Sequence, residues 1–547
     1  MMDLVTVQII RNKVASLVDE MHYRFYRSGY STVVRESRDF SCVVLDATGR
    51  LIVSPPMFFH APVYKHMVGR ILELYGVEAL CPGDIFVANH PYEAGLPHVS
   101  DMGFVAPVFA DGTLMGFVGS IAHKADIGGT NPGSTSGSAT ELYHEGLLIP
   151  PIRITDAGRR LEDIERLICA NSRQPITVMG DINAQLAAIE MGVERIGTLA
   201  ERFGRAEITG AFACILDGAA TQLRASLAAL PDGTFHAEGC LDSDGVDLDT
   251  PIHLEVTVRK RGADIEFDFT RCGPQAKGPV NLRPSMVEAC VFYSLISCVD
   301  PSMQFNDGIR DVVRLKLAPN TITNASAPAP VSNYMMVNRR LVDLTLEALS
   351  QLNPSRAIAH CGSSNALGIA WEKSRPGHPT MQYELVGSGA AYGGGNGKDG
   401  TSGTATHLSN VHITPIEILE TEFPCRVVRF DLVPDSGGKG RWRGGLSIRR
   451  EYELLEDATV NCRFEKTLYP PRGVAGGENG ARSRIAVFVG SENQRDLKAS
   501  SRLTMKAGDH LLLQCASGGG YGDPEQRDPN AIAHDLAEGY LTTDPRT

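Results

Sequence analysis

Between Asn89 and Pro151 the chain gathers histidines and carboxylates among glycines: His98-Val-Ser-Asp101, then Ala122-His123-Lys124-Ala125-Asp126 with Gly128 and Gly129, then Tyr143-His144-Glu145-Gly146. Two imidazoles and one carboxylate can hold a divalent cation on one face and leave its other positions to water or substrate, which suits hydrolysis or Lewis-acid chemistry. The three donors so placed are His98, Asp101 and His123. By spacing alone they read equally as hydrogen-bonded structural histidines with a nearby carboxylate. Asp126, His144 and Glu145 form a second rank, each a fourth ligand, an outer-shell acceptor, a general base or a capping residue. His90, beside Pro91, reads as a loop-positioning residue, and His60 and His66 as packed or solvent-facing side chains at a helix start.

These donors need a scaffold, and the surrounding pattern supplies one. Ile85–Ala88 is a short apolar strand leading into Asn89-His90-Pro91-Tyr92. Phe104–Phe109 and Leu114–Ile121 form a strand pair around Asp111-Gly112, with His123 just past the second strand, so the candidates fall at strand ends. Val7–Phe25 and Tyr64–Tyr75 carry helical apolar spacing, and Ser41–Val53 reads as two strands joined at Asp46-Ala-Thr-Gly49. Ile182–Leu230 is expected to be a helical hairpin. Strands at His253–Val258 and Ile265–Phe269 and helices at Val287–Cys298 and Leu341–Leu352 follow. From about Glu420 onward strands and glycine turns dominate, at Arg426–Leu432, Leu446–Leu454, Ser483–Val489 and His510–Gln514, and an all-β C-terminal region is the economical reading. The expected class is therefore α+β and multi-domain: a metal-site α/β region over 1–180, a helical hairpin over 181–230, a mixed α/β region with a glycine-rich loop over 231–419, and a β-rich region over 420–547.

A chain of 547 residues with 43% hydrophobic and 21% charged residues and a mean hydropathy of −0.10 is an ordinary globular protein of more than one domain. No segment reaches the roughly 18 apolar residues of a membrane span. The opening residues lack a basic leader with an apolar core, so a cytoplasmic location is expected. The net charge of −12 argues against nucleic acid and anionic membranes as partners, and the local patch Arg441, Arg443, Arg449 and Arg450 reads as a solvated strand edge. Twelve cysteines occur without a C-x-x-C pair, which fits reduced thiols and supports neither a zinc finger nor an iron-sulfur cluster. Cys361 beside His360 raises a nucleophile reading, against which its apolar flanks favour a packed thiol.

The glycine loop Val386–Asp399 fails as a nucleotide site. A P-loop needs glycine where Tyr392 stands and Ser or Thr where Asp399 stands, and the dinucleotide fingerprint loses its third glycine at the same tyrosine. Asp435-Ser-Gly-Gly-Lys-Gly440 lacks the spacing too. The segment Ser517–Pro524 is too glycine-rich for regular structure and is expected to pack against another backbone.

Nearly the whole chain resembles the hydantoinase B/oxoprolinase family. The resembling blocks include Arg38-Asp-Phe-Ser-Cys42 with Asp46-Ala-Thr-Gly-Arg50, Pro82-Gly-Asp84 through Asn89-His-Pro-Tyr92, His98-Val-Ser-Asp101, Ala122-His123 with Asp126-Ile-Gly-Gly129, and Glu145-Gly-Leu-Leu-Ile-Pro-Pro151. Asp268-Phe269, Gly278-Pro-Val-Asn281, Asp435-Ser-Gly-Gly438, Arg443-Gly-Gly445, and Gly518-Gly-Gly-Tyr-Gly-Asp-Pro524 with Arg527-Asp-Pro529 continue the series. The resemblance implies a divalent metal, zinc, manganese or iron, on His98, Asp101 and His123. It implies hydrolysis of a cyclic amide, such as a hydantoin, 5-oxoproline or a lactam, after a separate A-type ATPase subunit has used ATP to phosphorylate the amide oxygen. Asp126 or Glu145 is then the expected base, and the assembly a hetero-oligomer. A subunit of a biotin-independent ketone carboxylase, or a non-catalytic scaffold of such a complex, is the alternative. Two departures bear on substrate choice: His90 stands where many relatives have aspartate, and Lys124 where a second histidine often follows.

Overall fold

The computed structural model describes residues 3–55, 57–363, 365–371, 381–385, 390–498 and 500–544. It is a mixed α+β molecule whose centre is a six-stranded sheet in the order β1-β4-β3-β2-β5-β6. The strands are β1 (Phe40–Asp46), β2 (Ile85–Ala88), β3 (Asp101–Ala110), β4 (Thr113–His123), β5 (Ile152–Asp156) and β6 (Arg159–Arg160). β3 and β4 are buried nearly end to end, which explains their almost continuous apolar runs.

The hairpin between them rests on Asp111 and Gly112, both at positive φ (51° and 68°), as a two-residue turn demands. Pairing starts as Ala110 with Thr113, but the register shifts between Val108 and Phe109 and ends with Asp101 opposite His123. Were all residues of β4 paired without that bulge, Asp101 would face Ala122, and His123 would point through the other side of the sheet.

Both faces of the sheet are covered. The helix Leu4–Ser28 is capped by Asp3, whose carboxylate accepts from the N–H groups of Val5 and Thr6, and it buries Ile10, Val14, Leu17, Val18, Met21 and Phe25. That stripe packs with the helices Pro175–Phe203 and Arg205–Ala228 over Val44, Phe104, Val118 and Ala122. Each such fully buried side chain contributes about 1.5–3 kcal/mol, so a charge at Leu17 would strip the helix from the sheet. The opposite face meets the helix Val63–Tyr75 through Tyr64, Met67 and Val68, and the same core runs on into the helices Pro284–Val299 and Met335–Leu352. One continuous core thus joins Val43 to Val411.

A second sheet, in the order β10-β9-β8-β7, contains β7 (Gly233–Leu241), β8 (Ile252–Arg261), β9 (Asp264–Asp268) and β10 (Val313–Lys316). β7 lies where the sequence gave no strand signal. Conversely, only one strand forms around Asp46: Leu51 makes a single bridge to Leu45 and the chain then leaves the sheet. In the C-terminal region the strands Cys425–Leu432, Ile448–Leu454, Arg484–Val487 and His510–Gln514 share a five-stranded sheet. That region is not all β. Asp528 caps and Pro529 opens a helix, Pro529–Ala537, too short for apolar periodicity to reveal. Gly518, Gly519 and Gly520 do pack on backbone: an added Cβ would meet Tyr392 O at 2.0 Å, Arg472 O at 2.2 Å and Lys439 O at 2.0 Å. The Val386–Asp399 loop begins outside the described residues, and from Ala390 onward it is held partly by these contacts. No described helix is long and apolar enough to cross a membrane.

Candidate metal centre

Three neighbouring strand ends line up a row of donors. His123 closes β4, Asp101 opens β3 directly opposite it, and Asp39 precedes β1 on the other side, its carbonyl accepting from the His123 N–H at 3.1 Å. His98 lies one turn before Asp101, and the Asp101 N–H donates to its carbonyl at 3.3 Å. The side chains converge: His98 Nε2 is 3.0 Å from Asp101 Oδ1, His123 Nδ1 is 3.3 Å from the same oxygen, and the two ring nitrogens are 3.3 Å apart. Donors at about 2.0–2.1 Å from a tetrahedral ion lie about 3.3 Å from one another. The triangle has the dimensions of one face of that tetrahedron.

Among the carboxylates and imidazoles of the site, two buried atoms have no hydrogen-bond partner among the described residues: Asp39 Oδ1 and His98 Nδ1. A desolvated polar atom without a partner costs about 1–3 kcal/mol, and Asp39 lines the same cavity as the three donors that lie within 4.8 Å of one another, His98, Asp101 and His123. Burial is the largest influence on Asp39 and pushes its carboxyl up; the pull of His123, opposed by Asp101, does not offset it. Burial acts on Asp101 in the same sense, yet His98, His123 and His60 hold its carboxyl well below the usual range. His60 closes a short helical turn, Phe58–His60, and its Nε2 reaches Asp101 Oδ2 at 3.4 Å while Nδ1 meets Ser41 Oγ at 3.0 Å. It orients the carboxylate from behind, as outer-shell groups do for metal ligands.

Asp39, His98, Asp101 and His123 line a cavity of about 50 Å³ with Tyr334, Arg339 and Arg463. A single water needs about 10–15 Å³ on this measure, so the cavity takes an ion with a few small groups. Arg339 and Arg463, both buried, bring positive charge to its wall.

The second-rank residues are placed elsewhere. Asp126 is fully buried in its own loop, where Oδ1 accepts from the N–H groups of Gly128 and Arg173 and Oδ2 from Gly133 N–H and the Arg173 guanidinium at 2.9 Å. Four donors saturate it, and it does not line the cavity. Glu145 stands behind the wall: Oε1 accepts from Val331 and Ser332 N–H at 2.6 and 2.7 Å, and burial pushes its carboxyl up to about 8. His144 is half-buried on the turn Leu142–His144, its Nδ1 accepting from Thr140 N–H at 3.4 Å. His90 caps the short helix Pro91–Ala94 through Nδ1, and His66 pairs with Glu288 at 3.0 Å. Lys124 is buried and donates to Gln185 Oε1 at 2.6 Å.

A second set of potential donors, Asp343, Cys361 and His407, is fully buried. Its cation position is already filled: Lys466 Nζ lies 2.7 Å from Asp343 Oδ2 and 2.6 Å from the Cys361 carbonyl, and His407 Nε2 lies 2.9 Å from Asp343 Oδ1. Cys361 is a packed thiol whose sulfur accepts from Gly393 N–H at 3.4 Å.

Asp39, His60, Arg339 and Arg463 were not singled out by sequence spacing. Only Asp39 carried a signal, as part of the Arg38-Asp-Phe-Ser-Cys42 block.

Comparison with known proteins places the chain among relatives of the same fold. Residues 3–524 match the family model described as hydantoinase B/oxoprolinase. An uncharacterised protein of Methanocaldococcus jannaschii is 32% identical over 98% of this chain and 94% of its own length. The caprolactamase subunit beta of Pseudomonas jessenii is 28% identical over 99% of this chain and 94% of its length. The crystal structure of the ATP-dependent caprolactamase from that organism superposes with a TM-score of 0.89 at 25% identity, covering 98% of this chain and 94% of that one. Acetone carboxylase in its nucleotide-free form shares the fold, with a TM-score of 0.89 at 19% identity over 98% of this chain and 78% of that one.

Proposed function

Since the chain belongs to the hydantoinase B/oxoprolinase family, we propose that it is the metal-bearing subunit of an ATP-dependent hydrolase of cyclic amides. It acts on an amide whose oxygen an ATPase partner has phosphorylated. The observation that carries this reading is the buried triangle of His98, Asp101 and His123 with edges of 3.0–3.3 Å. Those three residues would hold a divalent ion, which supplies a water of lowered pKa and polarises the substrate.

The chain's own residues do the rest. An unstrained lactam resists attack because its amide resonance is lost in the tetrahedral intermediate, and phosphorylation turns the oxygen into a leaving group. Arg339 and Arg463 put two guanidiniums where a dianionic phosphate arrives, in a cavity whose walls raise the worth of each charge. Asp39, its carboxyl pushed up by burial, lines the same cavity and is the group there that would take a proton. His60 and Ser41 keep the Asp101 carboxylate facing the two imidazoles. Glu145 clamps the Val331–Ser332 segment that forms part of the cavity wall and has no part in the chemistry.

The decisive experiment mixes the purified chain with its ATPase partner and offers hydantoin, 5-oxoproline and a lactam in one series and ketones with bicarbonate in another. ATP-dependent ring opening is expected, lost in His98→Ala and Asp101→Asn. Ketone carboxylation without ring opening would replace this reading by the carboxylase, whose fold the chain shares. Turnover without the ATPase, or turnover unchanged in both variants, would remove it.

A further inference from the structure

Away from the cavity, β7 and β8 each carry the triplet His-x-Glu: His236-Ala-Glu238 and His253-Leu-Glu255. The strands are antiparallel with Glu238 directly opposite Glu255, so alternation puts all four side chains on one face, with a histidine diagonal to the carboxylate pair on either side. His236 Nε2 lies 3.1 Å from Glu255 Oε1, and His253 Nε2 lies 3.2 Å from Glu255 Oε2. The donor atoms of His236, Glu238 and Glu255 lie within 4.8 Å of one another. Two carboxylates opposed across adjacent strands repel unless a cation sits between them. Arg271 approaches Glu255 Oε1 at 3.2 Å, but its side chain is 78% exposed and free to swing away.

We propose that His236, Glu238, His253 and Glu255 form a second divalent-metal site, of the zinc class, on the outer face of the β7–β8 ribbon. Two imidazoles and two carboxylates are a borderline-soft donor set. With bonds of about 2.0–2.2 Å, donors of a tetrahedral ion lie about 3.3–3.6 Å apart, so His236, Glu238 and Glu255 close on one ion by side-chain shifts of about an ångström, and His253, 3.2 Å from the other oxygen of Glu255, joins them by swinging its ring. The histidine side chains are 46% and 43% exposed, which leaves the ion a path from solvent. β7 is the edge strand of its sheet, so the ion would staple that edge to β8.

The test is a zinc titration of the full chain, stripped of metal, against a chromophoric chelator, run in parallel on wild type, H236A/H253A and H98A/H123A. The surface substitutions lie outside the core, and circular dichroism verifies their fold. Wild type is expected to take up one equivalent more than H236A/H253A, whether or not the cavity binds zinc, and H98A/H123A to retain the surface equivalent. E255Q, which removes the central charge but not the imidazoles, should weaken that equivalent at least about tenfold. Equal zinc uptake by wild type and H236A/H253A overturns the proposal.

Discussion

Asp101 and His123 are cross-strand partners, the first residue of β3 facing the last of β4, with Asp101 Oδ1 3.3 Å from His123 Nδ1. A bulge between Val108 and the turn sets that pairing, so the site depends on the unpaired residue Met115, well along β4 from His123. Deleting Met115 should remove the bulge and leave Asp101 opposite His123, whereas deleting Met115 and Gly116 together should slide His123 opposite Met102 and turn it away from Asp101. A folded single-deletion variant that keeps its metal and a double-deletion variant that loses it are expected, read by elemental analysis; equal metal content in the two would count against register control.

His98→Ala and His123→Ala are each expected to lower the bound metal of the purified chain by about one equivalent relative to wild type. Inductively coupled plasma mass spectrometry decides it, and the same stoichiometry in all three proteins would rule out the cavity as a metal centre.

Asp39 has a buried oxygen without a hydrogen-bond partner among the described residues. Asp39→Asn should weaken metal binding by about 10–100-fold, whether the carboxylate ligates directly or holds a ligand in place. Competition against a calibrated chelator measures this; unaltered affinity would assign Asp39 to proton transfer alone.

Glu145 titrates in the folded protein near 8, raised by burial from its ordinary 4.5. Because the folded state holds the proton more tightly, the stability this group contributes is complete below about pH 4.5 and is lost as pH rises through about 8. Glu145→Gln keeps an acceptor for Val331 and Ser332 N–H and does not titrate. Urea midpoints taken across that window should therefore fall more steeply for wild type than for the variant, and parallel curves would show that Glu145 is not protonated in the fold.

Lys466 neutralises Asp343 where both are fully buried. Lys466→Met leaves the carboxylate with only His407 and the Cys361 N–H among its hydrogen-bond partners and should cost about 3–5 kcal/mol, as breaking a buried pair does. The double variant with Asp343→Asn should recover part of that loss in denaturant unfolding; additive losses would mean the two residues act separately.

Gly519→Ala places a methyl 2.2 Å from the Arg472 carbonyl and should destabilise by roughly 1–3 kcal/mol or more. Gly218, in mid-helix with nothing within 4 Å of an added Cβ, should instead stabilise by about 0.5–1 kcal/mol when changed to alanine. Thermal midpoints of the two variants moving in the same direction would contradict this account.

The amphipathic helix Leu4–Ser28, the strand pair β3–β4 with its Asp-Gly turn, and the close packing of the Gly518–Gly520 run were legible in the chain because local spacing encodes them. β7 was not, since His236, Glu238 and Cys240 on its outer face interrupt any apolar run while only Ala237 and Leu241 are buried. Nor was the helix Pro529–Ala537, whose nine residues are too few to show a period.

The candidate triangle divides along the same line. His98-x-x-Asp101 and the later His123 were visible because ligand types at short spacing, with glycines around them, are a local property of the sequence. Asp39, His60, Arg339 and Arg463 come from segments far apart in the chain and meet only when β1 pairs with β4 and the helix Met335–Leu352 closes over the sheet. The fate of Asp126 and Glu145 was equally beyond local reading. Both look like bases in the sequence, and the tertiary structure commits one to Arg173 and the other to the Val331–Ser332 backbone, because a buried carboxylate must find donors wherever the fold supplies them.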